Sequence, residues 1–169
     1  MSAPLYFPPL QLIEFTRFFA DEVRDGRYPY SFPAGDYDPE QRWHQRIYRD
    51  RRVDVWLISW LPTQGTELHD HGGSSGSFTV LSGTLTEAVV AGGRSRDTRR
   101  TTGESVGFGP RYVHDVRNLD DTAAVSVHAY SPPLTSMTYY DLSDGRLAPI
   151  RTLATDDPEP QIAAERAVS

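Results

Sequence analysis

The sequence contains no cysteine. That absence excludes disulfides, zinc–thiolate sites, iron–sulfur clusters, a cysteine nucleophile and any protein-derived cysteine crosslink. Histidine is scarce too, with five in 169 residues. A metal ion must therefore be held by a few imidazoles and carboxylates. Long apolar runs are missing, and a membrane span needs about 18 such residues. Met1 to Pro9 shows no basic region leading into an apolar run, so no secretory signal is visible and a cytoplasmic protein is expected. An excess of positive charge is also missing. Lys and Arg number 17 against 23 Asp and Glu, a net charge of −6. This argues against an extended nucleic-acid footprint, which needs a basic surface. The local run Arg94, Arg96, Arg99 and Arg100, beside Gly92-Gly93, reads as an exposed loop or hairpin tip.

What is present is ordinary for a globular protein: 38% hydrophobic and 24% charged residues. The length fits one domain, large enough to bury roughly 70% of its unfolded surface. Gly and Pro, 13 each, suit a turn-rich β protein.

The N-terminal third has a helical pattern. Leu10, Leu12, Ile13, Phe15, Phe18, Phe19 and Val23 recur at helical spacing after Pro8-Pro9, and Asp25-Gly26 stops the run. Asp38-Pro39-Glu40 is a helix-start signal and predicts a second, short helix through about Arg46. From Tyr48 the pattern turns to strands. Val53 to Trp60 is apolar on both faces, as a central strand is. Further strands are predicted at Ser77–Val80, Leu85–Val90, within Thr101–Gly109, and at Val113–Arg117, Ala123–Ser131, Met137–Leu142 and Leu147–Thr152. Ser82-Gly83 and Ser143-Asp144-Gly145 serve as hairpin turns. Many short strands after a helical lead-in indicate a β-sandwich or barrel.

His69 and His71 lie two apart, so on a strand they share one face. Alone the pair is a weak signal, since two surface histidines would look the same. His114, inside the apolar stretch Tyr112 to Val116, supplies a third imidazole from a later strand. Three neutral imidazoles with open positions suit Fe(II), Zn(II), Mn(II) or Cu(II). Ser126, His128 and Tyr130 alternate with Val127 and Ala129, which puts hydroxyl, imidazole and phenol on one face. If that face is interior, the three must hydrogen-bond one another, because unpaired buried polar groups cost about 1–3 kcal/mol each. A relay is expected, in which Ser126 orients His128 and His128 orients the Tyr130 phenol for acid or base work. Arg42, Arg46, Arg49, Arg51 and Arg52 cluster just before the first long strand. One of them can clamp a substrate carboxylate with paired hydrogen bonds. His44 carries no expected role.

As a set, these residues resemble a family. His69-Asp70-His71, Gly83 closing the following turn, His114 and Ser126-Val127-His128-Ala129-Tyr130-Ser131-Pro132-Pro133 resemble the thiol dioxygenases of the cupin superfamily, most of all bacterial cysteine dioxygenase. The likeness runs from about Gln45 to Asp141. It implies an all-β cupin (jelly-roll) β-barrel with N-terminal α-helices. The single domain would span residues 1–155, with a mainly helical lead-in over 1–47, a barrel over 48–155 and a flexible tail over 156–169. It implies one Fe(II) per chain on His69, His71 and His114, and oxidation of L-cysteine with O2 to cysteine sulfinic acid. Tyr130 becomes the catalytic phenol, supported by His128 and Ser126. Arg46 becomes the carboxylate partner, with Arg49 as the alternative. The chain is expected to be monomeric, with a small thiol and O2 as partners and neither nucleic acid nor membrane.

Three details refine the expectation. The related 3-mercaptopropionate dioxygenases carry Gln in the carboxylate role, and Gln45 adjoins Arg46. However, the Gly72–Phe78 segment lacks the Trp of that branch, which favours cysteine. Gly76 stands where animal enzymes carry the crosslinking Cys, so Tyr130 must stay unmodified. Many cupins add a Glu ligand after the His pair. Here that region is Gly and Ser, so a three-His site is expected, with Glu67 and Glu87 at the surface. Two other classes remain open: a cupin isomerase or epimerase using another divalent metal, and a small-molecule-sensing or storage cupin. A sensor has no need of the Ser126-His128-Tyr130 row.

Overall fold

A computed structural model describes residues 6–28 and 39–160. It comprises one helix, α1 (Pro9–Arg24), and ten strands: β1 (His44–Arg49), β2 (Asp54–Trp60), β3 (Ser75–Ser82), β4 (Thr84–Ala91), β5 (Arg94–Thr101), β6 (Ser105–Phe108), β7 (Val113–Arg117), β8 (Ala124–Ser131), β9 (Ser136–Ser143) and β10 (Arg146–Ala154). One sheet has five strands in the order β1-β2-β8-β3-β6. The others are a three-stranded sheet, β5-β4-β7, and the hairpin β10-β9. Single bridges from Gly65 and His69 to β7 and from His69 to β9 stitch these two together.

The helix forms where the apolar spacing placed it. Pro9 occupies its first turn, and Leu12, Thr16, Phe19, Ala20 and Val23 face inward. They cover the outer face of the large sheet, against Val55 and Leu57 of β2 and Val125, Val127 and Ala129 of β8. Gly107 of β6 lets the helix sit close, since a Cβ there would meet the Pro9 carbonyl at 2.9 Å and Ile13 at 3.0 Å. The opposite faces of the same strands turn into the sandwich, where Trp56, Ile58, Trp60, Phe78, Val80, Leu85 and Tyr130 form the second core. This is why β2 and β8 are buried at every position.

Several expectations need correction. The second helix is absent among the described residues. Asp38 lies outside them, and His44–Arg49 is a strand paired antiparallel with β2. The exposed backbone edge of β2 takes a partner there, and ladder hydrogen bonds override the local start signal. The described lead-in is thus one helix plus an edge strand. The sheets are not hydrogen-bonded into one closed ring among the described residues. Of the two readings of the arginine run, loop or hairpin tip, the hairpin holds: Gly92-Gly93 is the turn, and Arg94–Thr101 is its second strand, β5, along β4. Of the expected tail, residues 156–160 pack back on β1, with Pro158 and Glu159 buried. The remaining residues, 161–169, lie outside the described residues.

Candidate metal centre

Gly65–Asp70 runs as an irregular strand between β7 and β9. The backbone N–H of His69 donates to the His114 carbonyl at 3.0 Å, and that of His114 returns to His69 at 3.1 Å. On the other side, Asp70 N–H reaches the Thr138 carbonyl at 2.9 Å. The Asp70 carboxylate faces outward. It accepts the Gly72 and Thr138 N–H groups at 3.0 and 3.1 Å and the Tyr140 phenol at 2.7 Å. Because alternate residues face opposite ways, fixing Asp70 outward fixes His69 and His71 inward.

His69, His71 and His114 therefore converge, with one ring nitrogen from each within 4.8 Å of the others. All three are buried, at 4, 2 and 2% exposure. The fit to a metal ion can be tested on proton positions. Nδ1 of His69 contacts the Glu67 carbonyl at 2.7 Å, and a carbonyl only accepts. Nδ1 thus carries the hydrogen and Nε2 is the bare donor. Burial, then the neighbouring His114, pushes the His69 pKa down to about 3. Burial and both partner imidazoles hold His71 well below its ordinary value. Neutral imidazoles are the form a metal needs. His71 is oriented by ring contacts, stacking on Phe108 at 4.8 Å and on Tyr130 at 5.1 Å between centroids. The donor set fits a divalent metal with three nitrogen ligands.

Glu87 corrects a sequence expectation. It is not a surface residue but fully buried. One carboxylate oxygen meets Nδ1 of His114 at 3.0 Å and the Tyr112 phenol at 2.8 Å. The other accepts Nη2 and Nε of Arg100 at 2.9 and 3.1 Å. Burial alone would raise its pKa, but the bonds from His114, Tyr112 and Arg100 outweigh that and hold the carboxyl below its ordinary range. The sequence signal existed. Glu87 sits among the apolar residues of a strand whose neighbours Leu85 and Ala88 are buried.

The polar row on β8 faces the interior. Trp60 Nε1–H donates to Ser126 Oγ at 2.8 Å, and Ser126 Oγ lies 2.7 Å from His128 Nε2. Nδ1 of His128 makes a longer 3.4 Å contact with the Tyr130 hydroxyl. A hydroxyl offers one donor and two acceptor lone pairs, so Ser126 can serve the Trp60 indole and either neutral tautomer of His128, whose other nitrogen faces the Tyr130 hydroxyl. Burial, then His114, His69 and Arg42, lowers the His128 pKa to about 3. Burial, with Glu159 and Asp54 nearby, raises the Tyr130 phenol well above its usual value. Both groups stay neutral near pH 7. Trp60, the head of this chain, had no sequence signal beyond its place on a buried strand.

A cavity of about 580 Å³ reaches His69 from the β1 side, lined by Arg42, His44, Met137, Tyr139 and Glu159 among others. Arg42 pairs with Glu159 and lies over the Trp60 ring at 5.3 Å. His44 bonds Asp157 at 2.8 Å. Arg46 stacks over Trp56 at 4.5 Å and meets Asp156 at 3.2 Å and Asp54 at 3.8 Å. Its Nε is buried and has no hydrogen-bond partner among the described residues. Arg49 reaches the same Asp156 at 3.3 Å. Neither Arg46 nor Arg49 is among the cavity-lining residues, whereas Arg42 is. Gln45 is exposed. Gly76 is the cross-strand neighbour of Tyr130, and a Cβ there would collide with the Phe108 ring.

A family model described as cysteine dioxygenase type I matches residues 32–143. Among solved structures, a double-stranded β-helix protein of Klebsiella pneumoniae is 16% identical, with a TM-score of 0.53 over 73% of this chain and 97% of that one. A protein of Thermus thermophilus is 22% identical, with a TM-score of 0.51 over 58% of this chain and 90% of that one. The Cnp3 cupin domain of Schizosaccharomyces pombe is 11% identical, with a TM-score of 0.51 over 62% of this chain and 69% of that one. At these identities the structural likeness concerns the fold, which is that of the cupins.

Proposed function

Because the chain belongs to the cysteine dioxygenase type I family, we propose that it oxidises the thiol of L-cysteine with O2 to the sulfinic acid, using one Fe(II) held by His69, His71 and His114. The convergence of three buried imidazoles beside a protonated, hydrogen-bonded phenol is the observation that carries this reading. The reaction balances without a further reductant. Both oxygen atoms join the sulfur, which loses four electrons, and O2 gains the same four. Iron, when bound, supplies the oxygen chemistry.

The protein's own groups position and protonate. Tyr130 stacks against His71 and is aimed by His128, so its hydroxyl can donate a hydrogen bond beside the three-His cluster. Ser126 and Trp60 hold the His128 ring in one orientation. Away from the cavity, Phe108 packs on the His71 ring and Phe78 on the His128 ring. Arg46 is assigned to the substrate carboxylate because its buried Nε is unspent, with Arg49 beside it as the alternative. A second reading gives that role to Arg42, which lines the cavity but already holds Glu159. The exposure of Gln45 favours cysteine over 3-mercaptopropionate.

Oxygen uptake by iron-loaded protein decides the matter. Uptake with L-cysteine and formation of sulfinate are expected. Uptake with 3-mercaptopropionate alone moves the assignment to the sister activity. Uptake with neither rejects oxidation and favours a cupin isomerase or sensor.

A further inference from the structure

Resting on the reading that His69, His71 and His114 hold a metal, we propose that Glu87 is the positioning residue of the site: it locks His114 in its Nδ1–H form and points Nε2 at the ion. Glu87 is buried in β4, directly behind the imidazole, with Nδ1 3.0 Å from its carboxylate. An ionised carboxylate can only accept, so the hydrogen belongs to Nδ1 and the bare lone pair to Nε2. The carboxylate is itself fixed. Tyr112 occupies the oxygen that His114 uses, and Arg100 binds the other through two nitrogens. Every strong acceptor direction is therefore filled, and the ring cannot turn without breaking a buried, charge-assisted contact.

Burial of an acid at this depth is costly unless it is paired. Arg100 provides the neutralising charge from β5, the strand that ends the small sheet. The basic strand thus has a structural connection to the candidate metal centre: Arg100 to Glu87, Glu87 to His114. The other two histidines have no such partner among the described residues. His69 is steadied by a backbone carbonyl, and Nδ1 of His71 has no hydrogen-bond partner there. His114 is then the one ligand that carries added negative charge, which makes it the strongest donor of the three.

The test uses full-length protein stripped of metal. Co(II) is titrated against a competing chelator in wild type, Glu87→Gln, Glu87→Ala and His69→Ala. Glu87→Gln and Glu87→Ala are expected to bind Co(II) roughly 10- to 100-fold more weakly than wild type. The visible Co(II) spectrum of Glu87→Gln at saturation is expected to shift, which a mere change in stability would not produce. Unchanged affinity and spectrum in folded Glu87→Gln overturn the proposal. If His69→Ala binds as tightly as wild type, the three-His reading fails first, and the proposal falls with it. Should the variants not fold, imidazole ¹⁵N NMR of metal-free wild type decides. A protonated Nδ1 on His114 supports the proposal, and a protonated Nε2 refutes it.

Discussion

At the scale of single residues, chemistry depends on which atom holds each proton. Tyr130 is kept protonated by burial, and His128 is kept neutral by the same cause. The phenol's direction then depends on a chain that starts at the Trp60 indole and passes through Ser126. Tyr130→Phe removes only the hydroxyl. It is expected to lower kcat by about 10²-fold or more, the scale of a lost acid–base group, while iron content stays at wild-type level. Metal analysis alongside steady-state oxygen uptake checks both halves. Ser126→Ala should act in the same direction but more weakly, because the imidazole remains and only its orientation is freed.

At the scale of elements, the candidate site depends on a segment that belongs to no regular strand. Gly65–Asp70 is held by β7 on one side and β9 on the other, and the Asp70 carboxylate makes the tie to β9. Removing that anion leaves three donors to find water. Asp70→Ala is expected to cost about 2–4 kcal/mol of stability, and to weaken metal binding because His69 and His71 lose their shared frame. Urea denaturation and metal titration of the variant measure the two effects. Gly72 follows at φ +59°, and a Cβ there would run into the Ser136 carbonyl. Gly72→Ala should therefore destabilise the same junction, by about 1–3 kcal/mol. A melting temperature equal to wild type would contradict that.

At the scale of the whole molecule, the sandwich buries more imidazole than carboxylate, and this sets its response to acid. His69 and His128 have pKa values of about 3 in the folded chain, and His71 is also held low. Unfolded, each would titrate near about 6.5. Between those values the unfolded chain binds protons that the folded chain refuses, so stability falls as pH drops below about 6.5. Asp54 acts the other way. Burial raises its pKa to about 6, so the folded state holds a proton that the unfolded state releases. That contribution grows as pH falls from about 6 towards about 4. Burial raises the Glu159 and Asp115 carboxyls in the same sense, so these three acids together oppose the imidazoles. The metal-free protein should be less stable at about pH 5 than at about pH 7, with about 2 kcal/mol lost through each of His69 and His128 and part of that returned by the carboxyls. Asp54→Asn removes one of the opposing contributions, so its stability should fall more steeply over the same interval. Denaturation curves at the two pH values test both statements.

The sequence alone determined whatever depends on local periodicity and side-chain chemistry. The period-two pairs His69/His71 and Ser126/His128/Tyr130 were legible because strand alternation admits only one choice of face. Helix α1 was legible because its apolar stripe, Pro9 and Gly26 agree. The missing cysteine excludes a thioether between Tyr130 and a cysteine of this chain. Tertiary structure decided whatever depends on partners distant in the chain. His44–Arg49 became a strand because the free edge of β2 needed hydrogen bonds, and no local signal reports an edge. Glu87 resembled a surface acid until β5 and β7 brought Arg100, Tyr112 and His114 around it. Arg42 came to line the cavity, and Arg46 to meet Asp156, because residues 156–160 return to β1. A charged side chain's worth is set by what neutralises it, and a sequence places those groups far apart.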